Sequence, residues 1–234
     1  MAESRSYQGE RSYYLSRRRQ LLEAFDAESR HWRPFLATQY GDNAAASYLL
    51  EAREAFDALL PDIPYIGGDE NHLTWALVES ARYLALYEAM QRHGRTAEET
   101  GKVLYDAAVA RRDEPPEPIP PSELMQRRRL RAERSQERRY PADYVYEFVV
   151  GDGVAFDYGY DFSECAAQKF YHAQDADEFM PFYCYLDFAK SRIGLRRTMT
   201  LAEGDPKCNH RFKEGRAEQL GWPPPFMRQI TERT

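Results

Sequence analysis

The chain has 234 residues, 43% of them hydrophobic and 30% charged, with a formal net charge of -6. That is enough to bury one substantial core and short for two independent domains, so a single α+β domain over 1–234 is expected. The acidic balance gives a nucleic-acid role no global support, no stretch approaches the roughly 18 apolar residues of a membrane span, and Met1-Ala2-Glu3-Ser4-Arg5 lacks the apolar run of a signal peptide. A soluble, cytoplasmic protein with no nucleic-acid and no membrane partner is expected.

The helical part, 1–112, comes first. Tyr13, Leu21, Leu22 and Phe25 form an apolar side among Arg17, Arg18, Arg19 and Glu23, and Pro34 is expected to end or redirect that helix. A second helix runs from about Asp42 to Leu60, closed by Pro61 and Pro64. The loop Ile63 to Asn71 contains Gly67-Gly68, a pair that permits backbone angles other residues avoid. Leu73, Leu77, Ala81 and Leu84 trace a third helix to His93, stopped by Gly94. Thr96 and Glu99 have capping-box spacing for a fourth, about Ala97 to Arg111.

Residues 113–121 hold five prolines in nine positions and read as a stiff connector. Ser122 is placed to cap a basic helix, in which Glu133 and Glu137 interleave with arginines between Arg127 and Arg139 as on a solvated face; a polyanion or partner site is the alternative. The part 122–213 then alternates. Tyr144, Tyr146, Phe148 and Val150 share one side of a strand, and after Gly151-Asp152-Gly153 the residues Phe156, Tyr158 and Tyr160 do so on the return. Ser163 suits a helix cap, Asp175 and Glu178 resemble a second capping pair for a helix to about Ser191, and Gly194 ends it. Strands over about Leu195 to Ala202 and Lys207 to Lys213 follow. Hairpin, helices, hairpin implies a four-stranded antiparallel sheet with helices against one face. The tail 214–234 mixes Trp222 and Phe226 with prolines and is expected to dock on its own domain, with partner binding as the alternative.

Chemistry-bearing residues gather in the second half. The three cysteines, Cys165, Cys184 and Cys208, form no CxxC pair, which argues against a disulfide framework or a structural zinc site and for free thiols. A thiolate attacks an electrophilic carbon when a neighbouring cation or base lowers its pKa, although a free cysteine alone behaves as a small buried hydrophobe. Cys208 and His210, two apart on a strand, share a face while Asn209 and Arg211 share the other. Asp187, three residues beyond Cys184, has two open readings: a desolvated general base with a raised pKa, or an ion-pair partner of Arg192, Arg196 or Arg197. No phosphate loop, HExxH or GxSxG elbow is present.

Several separated segments look like one family: Leu60-Pro61-Asp62-Ile63-Pro64-Tyr65-Ile66-Gly67-Gly68 with Asn71, Leu84-Ala85-Leu86-Tyr87 with Gly94, Glu164-Cys165, Cys184 with Asp187, and Arg197-Thr198-Met199-Thr200-Leu201 leading to Gly204 and Cys208-Asn209-His210-Arg211-Phe212. Together they resemble the L-2-amino-thiazoline-4-carboxylic acid hydrolase family over roughly residues 45 to 213. The last segment departs from that family's Cys-Asp-Phe-Arg-Phe, carrying Asn209 and His210. The resemblance implies hydrolytic opening of a small carboxylated ring without a cofactor. Catalysis is expected from Cys165, Cys184, Asp187 or Cys208, and substrate binding from Asn71, Arg197, Asn209, His210 and Arg211, with no metal. The partner is a small-molecule carboxylate, and a homo-oligomer stays open. A non-catalytic small-molecule-binding module, or an enzyme for a different small ring, is the competing reading.

Overall fold

Burial decides where the first helix ends. In the computed structural model, which describes residues 13–111, 118–215 and 221–222, helix α1 covers Arg18–Tyr40 with Pro34 inside it. Proline was expected to end or redirect it, and in a helix interior it costs about 3 kcal/mol. Leu22, Phe25, Trp32 and Leu36 are buried along one side, and each large apolar side chain contributes about 1.5–3 kcal/mol, which outweighs that cost. Pro34 keeps its own carbonyl engaged by the Thr38 hydroxyl at 2.8 Å.

Helices α2 (Asp42–Leu59), α3 (Thr74–Arg92) and α4 (Ala97–Val109) follow as expected. Both halves of the Thr96/Glu99 capping box form, the Thr96 amide donating to Glu99 at 2.8 Å and the Glu99 amide to the Thr96 hydroxyl at 3.1 Å. In the glycine loop, Gly68 has a positive φ of 57°, and a Cβ there would stand 2.5 Å from the Tyr13 ring, so both conformation and space require glycine. No described helix is long and apolar enough to cross a membrane.

The α+β architecture is as expected, helices first and then a four-stranded antiparallel sheet. After helix α5 (Ser122–Ser135) come strands β1 (Val145–Val150) and β2 (Tyr158–Glu164), helices α6 (Ala166–Ala173) and α7 (Met180–Lys190), and strands β3 (Gly194–Arg196) and β4 (Cys208–Lys213). The sheet order is β1-β2-β4-β3, so the two hairpins meet through β2 and β4. Chain contacts gather into two units, Met1–Ala107 with Lys169–Phe179, and Ala108–Gln168 with Met180–Thr234.

Local boundaries differ from expectation for identifiable reasons. Ser122 is the first helical residue of α5, with Pro121 at the cap and no side-chain cap bond. The β1–β2 turn is longer than a tight hairpin, because Asp152 Oδ1 gathers the amides of Val154, Ala155 and Phe156 and delays β2 to Tyr158. Ser163 stays on the strand, so Cys165 rather than Ser163 precedes α6. Asp175 has a φ of 53°, and α7 starts only at Met180 after a short 3-10 turn, Asp177–Phe179. Gly194 does not end that helix; it pairs with Lys213 as the first residue of β3. Most of the proline-rich connector and of the C-terminal tail, and the first twelve residues, lie outside the described residues.

Candidate functional site

The register of the sheet builds an aromatic face in the second unit. Tyr146, Phe162 and Cys208 stand in one cross-strand row, Phe148, Tyr160 and His210 in the next, and Val150, Tyr158, Phe212 and Leu195 in the third. Alternation sends Asp161, Asn209 and Arg211 to the other face. Rings interlock along the first face: Phe162 lies 4.8 Å from Tyr146 and 5.3 Å from His210, and Tyr158 stacks on Phe212 at 4.9 Å.

At the β4 end of this face, α7 and the residue after β3 bring three polar side chains together. Arg197 donates from Nη1 to Asp187 Oδ2 at 2.9 Å and from Nη2 to the Cys184 carbonyl at 2.8 Å. His210 Nε2 lies 3.4 Å from the same Nη1 and 3.5 Å from Asp187 Oδ2, both long contacts. The Arg197 side chain is only 6% exposed and His210 14%, whereas Asp187 keeps 39% and forms the open rim of the cluster. His210 Nδ1 is buried with no hydrogen-bond partner among the described residues.

Electrostatics assign the protons. Burial pushes the Asp187 carboxyl up, but the His210 hydrogen bond and the Arg197 charge outweigh it and hold the group at about 2. Of the two readings of Asp187, the structure therefore gives the ion pair, with Arg197 rather than Arg192 or Arg196 as partner, and an ionised carboxylate. Burial lowers the His210 pKa below the usual 6.5, against the pull of Asp187 and with the help of Arg197, so the ring is neutral at pH 7. Arg197 Nη1 can only donate to Nε2, whereas Asp187 can only accept from it, so the tautomer of the neutral ring selects one of these two contacts.

All three thiols belong to the same neighbourhood, since Cys165, Cys184, Cys208, Asp187 and Arg197 act on one another electrostatically. Cys165 sits just before α6, where the amides of Gln168 and Ala167 favour a thiolate; burial nevertheless pushes the thiol up to about 12. Burial also pushes Cys184 well above its ordinary value despite Arg197. Cys208 is buried, its Sγ accepting the Leu201 amide at 3.2 Å and lying 3.5 Å from Thr200 Oγ1. At pH 7 Cys165 and Cys184 are thiols, weak nucleophiles without a base.

The remaining expected residues stand elsewhere. Asn209, on the opposite face, accepts the Thr198 and Met199 amides at 2.9 and 2.8 Å and so pins the segment that carries Arg197. Arg211 pairs with Asp161 at 2.7 Å and lies over Phe156. Asn71 belongs to the first unit, where its side chain donates to the Ile66 carbonyl and accepts the Leu73 amide, closing the glycine loop. No three His, Cys, Asp or Glu side chains among the described residues are placed to hold a metal ion. The sequence reading placed Arg128 in a basic run with a solvated face, and a polyanion or partner site as the alternative, without singling it out; the structure lays it on Tyr158 and Tyr160.

The second unit thus carries, at an aromatic sheet face, an Asp–His–Arg cluster that is buried except at its Asp187 rim. No protein-family model matches the chain, and no curated protein or solved structure matches it either.

Proposed function

We propose that the chain is a hydrolase that opens a small carboxylated heterocycle, of cyclic amidine or thiazoline type, at a C–N or C–S bond. The observation that carries this reading is the Asp187–His210–Arg197 cluster, in which a neutral imidazole lies 3.5 Å from an ionised carboxylate. The resemblance to the L-2-amino-thiazoline-4-carboxylic acid hydrolase family points the same way.

In the proposed step, His210 takes a proton from water as the oxygen adds to the amidine carbon of the ring. Asp187 stabilises the imidazolium. For C–S opening, the C–S bond breaks, one water proton ends on the released sulfur and the other on the ring nitrogen, and the oxygen becomes a carbonyl. Water is preferred over Cys165 or Cys184 as the nucleophile because burial keeps both protonated. The same protonated thiols favour the second reading, a binding module, in which a ring binds without product.

Mass spectrometry of the full chain incubated with carboxylated cyclic amidines, thiazolines and lactams tests this. His210→Gln is expected to lose about 10²- to 10⁴-fold in turnover. Unchanged turnover in that variant sinks the mechanism. Binding without product from every ring replaces it by the binding module.

A further inference from the structure

Helix α5 packs along β1 and lays arginines on the aromatic face. Arg128 Nη1 donates to the Tyr160 hydroxyl at 3.1 Å and to the Tyr158 hydroxyl at 3.3 Å, with its guanidinium 5.2 Å from the Tyr158 ring. Arg129 lies 5.4 Å from the Phe148 ring. Among the described residues Arg128 meets no carboxylate, and its Nε and Nη2 make no hydrogen bond; neither atom is a buried orphan, so both are open to solvent.

Sheet alternation explains why the counter-charge is missing. Asp161 is turned to the opposite face, where Lys207 and Arg211 pair with it at 2.6 and 2.7 Å, while the residues facing Arg128 are phenols and phenyl rings. A half-buried guanidinium with no acid beside it lacks a counter-charge, and its solvent-facing Nε/Nη2 edge is the one that matches a carboxylate with two parallel hydrogen bonds. Arg131, one turn further, also acts electrostatically on Tyr160. Flat rings flank this edge. Tyr160, which Arg128 contacts, pairs across the strands with His210, so both belong to one cross-strand row of the same face.

We propose that Arg128, held by Tyr158 and Tyr160, is the carboxylate grip of a subsite for flat anionic rings on this sheet face. The orientation of the ring towards His210 rests on the hydrolytic reading above; the binding of the carboxylate does not. Arg197 cannot do this duty while both its terminal nitrogens are engaged by Asp187 and the Cys184 carbonyl, and Arg211 lies on the other face.

Titration calorimetry on the full chain tests it, with thiazole-4-carboxylate as the anionic probe, and its methyl ester and thiazole as the neutral ones. Arg128→Gln is expected to weaken the anion about 10- to 100-fold, the loss of a charge-assisted hydrogen-bond pair, and to leave the neutral rings unchanged. Arg128→Lys should fall between, and Tyr160→Phe should cost less than Arg128→Gln. These two milder variants keep the question decidable if Arg128→Gln fails to fold. Arg128-dependent anion binding by a chain that turns over no ring would keep this subsite and sink only the hydrolytic reading, which separates the two. Equal anion affinity in Arg128→Gln or Arg128→Lys overturns the assignment, as does equal weakening of the neutral rings. So does an unmodified chain that shows no preference for the anion at probe concentrations up to about 1 mM.

Discussion

Arg197 tolerates near-complete burial because Asp187 neutralises it and a carbonyl accepts its second nitrogen. Removing the acid by Asp187→Ala leaves a buried cation unpaired. A fully buried pair broken this way costs about 3–5 kcal/mol, and the exposure of Asp187 brings the expectation to about 2 kcal/mol, read from chemical denaturation. The same carboxylate sets an acid limb. Its pKa is about 2 in the folded chain against an ordinary 3.8, so the unfolded chain binds the proton more readily, and the stability the ion pair supplies is present above 3.8 and lost as pH falls towards 2. Denaturation midpoints of the unmodified chain should drop through that window, and Asp187→Asn should flatten the drop. His210 acts in the same direction at higher pH. With its folded pKa below 6.5, it costs the fold as the unfolded ring begins to protonate under 6.5, and turnover should fall only once the folded ring protonates, below 6.5 as well. A turnover profile that already falls above 6.5 would remove His210 as the base.

At the scale of elements, the β2–β4 pairing holds His210 in place. A Cβ on Gly159 would stand 2.5 Å from the His210 carbonyl and 2.9 Å from the Arg211 side chain, so glycine is required by the close approach of the two strands. Gly159→Ala should destabilise by about 1–3 kcal/mol, as overpacking does, and should reduce turnover together with the melting temperature. Turnover lost without any change in melting would mean that the strand spacing matters only to the site. Asn209 works across the same strand from the other face. Asn209→Ala removes the acceptor of two amides that shape the Arg197 segment and should cost about 1–3 kcal/mol, seen as a lowered denaturation midpoint. Asn209→Asp preserves the acceptor, and with the Thr198 hydroxyl free to reverse its bond it should retain most of that stability.

At the scale of the whole molecule, the thiols report on folding. Cys184 and Cys208 are buried, and the Cys165 thiol is pushed up to about 12, so iodoacetamide near neutral pH should modify the native chain slowly and all three sites quickly in denaturant. Peptide mapping by mass spectrometry reads this directly. Rapid native labelling of one site, with turnover lost in step, would transfer the nucleophile's role from water to that cysteine.

Local chemistry made much of this legible beforehand. The Thr96/Glu99 box, the glycine loop and the two-residue alternation of Cys208 and His210 depend on neighbours in the chain, and the helical periodicity that announced α2, α3 and α4 does too. What the sequence by itself determined is the α+β order, the hairpin-helices-hairpin part and the gathering of cysteines, histidine and acids there. Only the tertiary structure decided that Pro34 stays inside a helix, because burying Trp32 and Leu36 outweighs one missing hydrogen bond. It alone chose Arg197 over Arg192 and Arg196 as the partner of Asp187, since the backbone leaves β3 at that residue. And it turned Arg128, on a helix that reads as a solvated face, onto two tyrosines, because helix packing is set by the strand it covers and not by the charges along it.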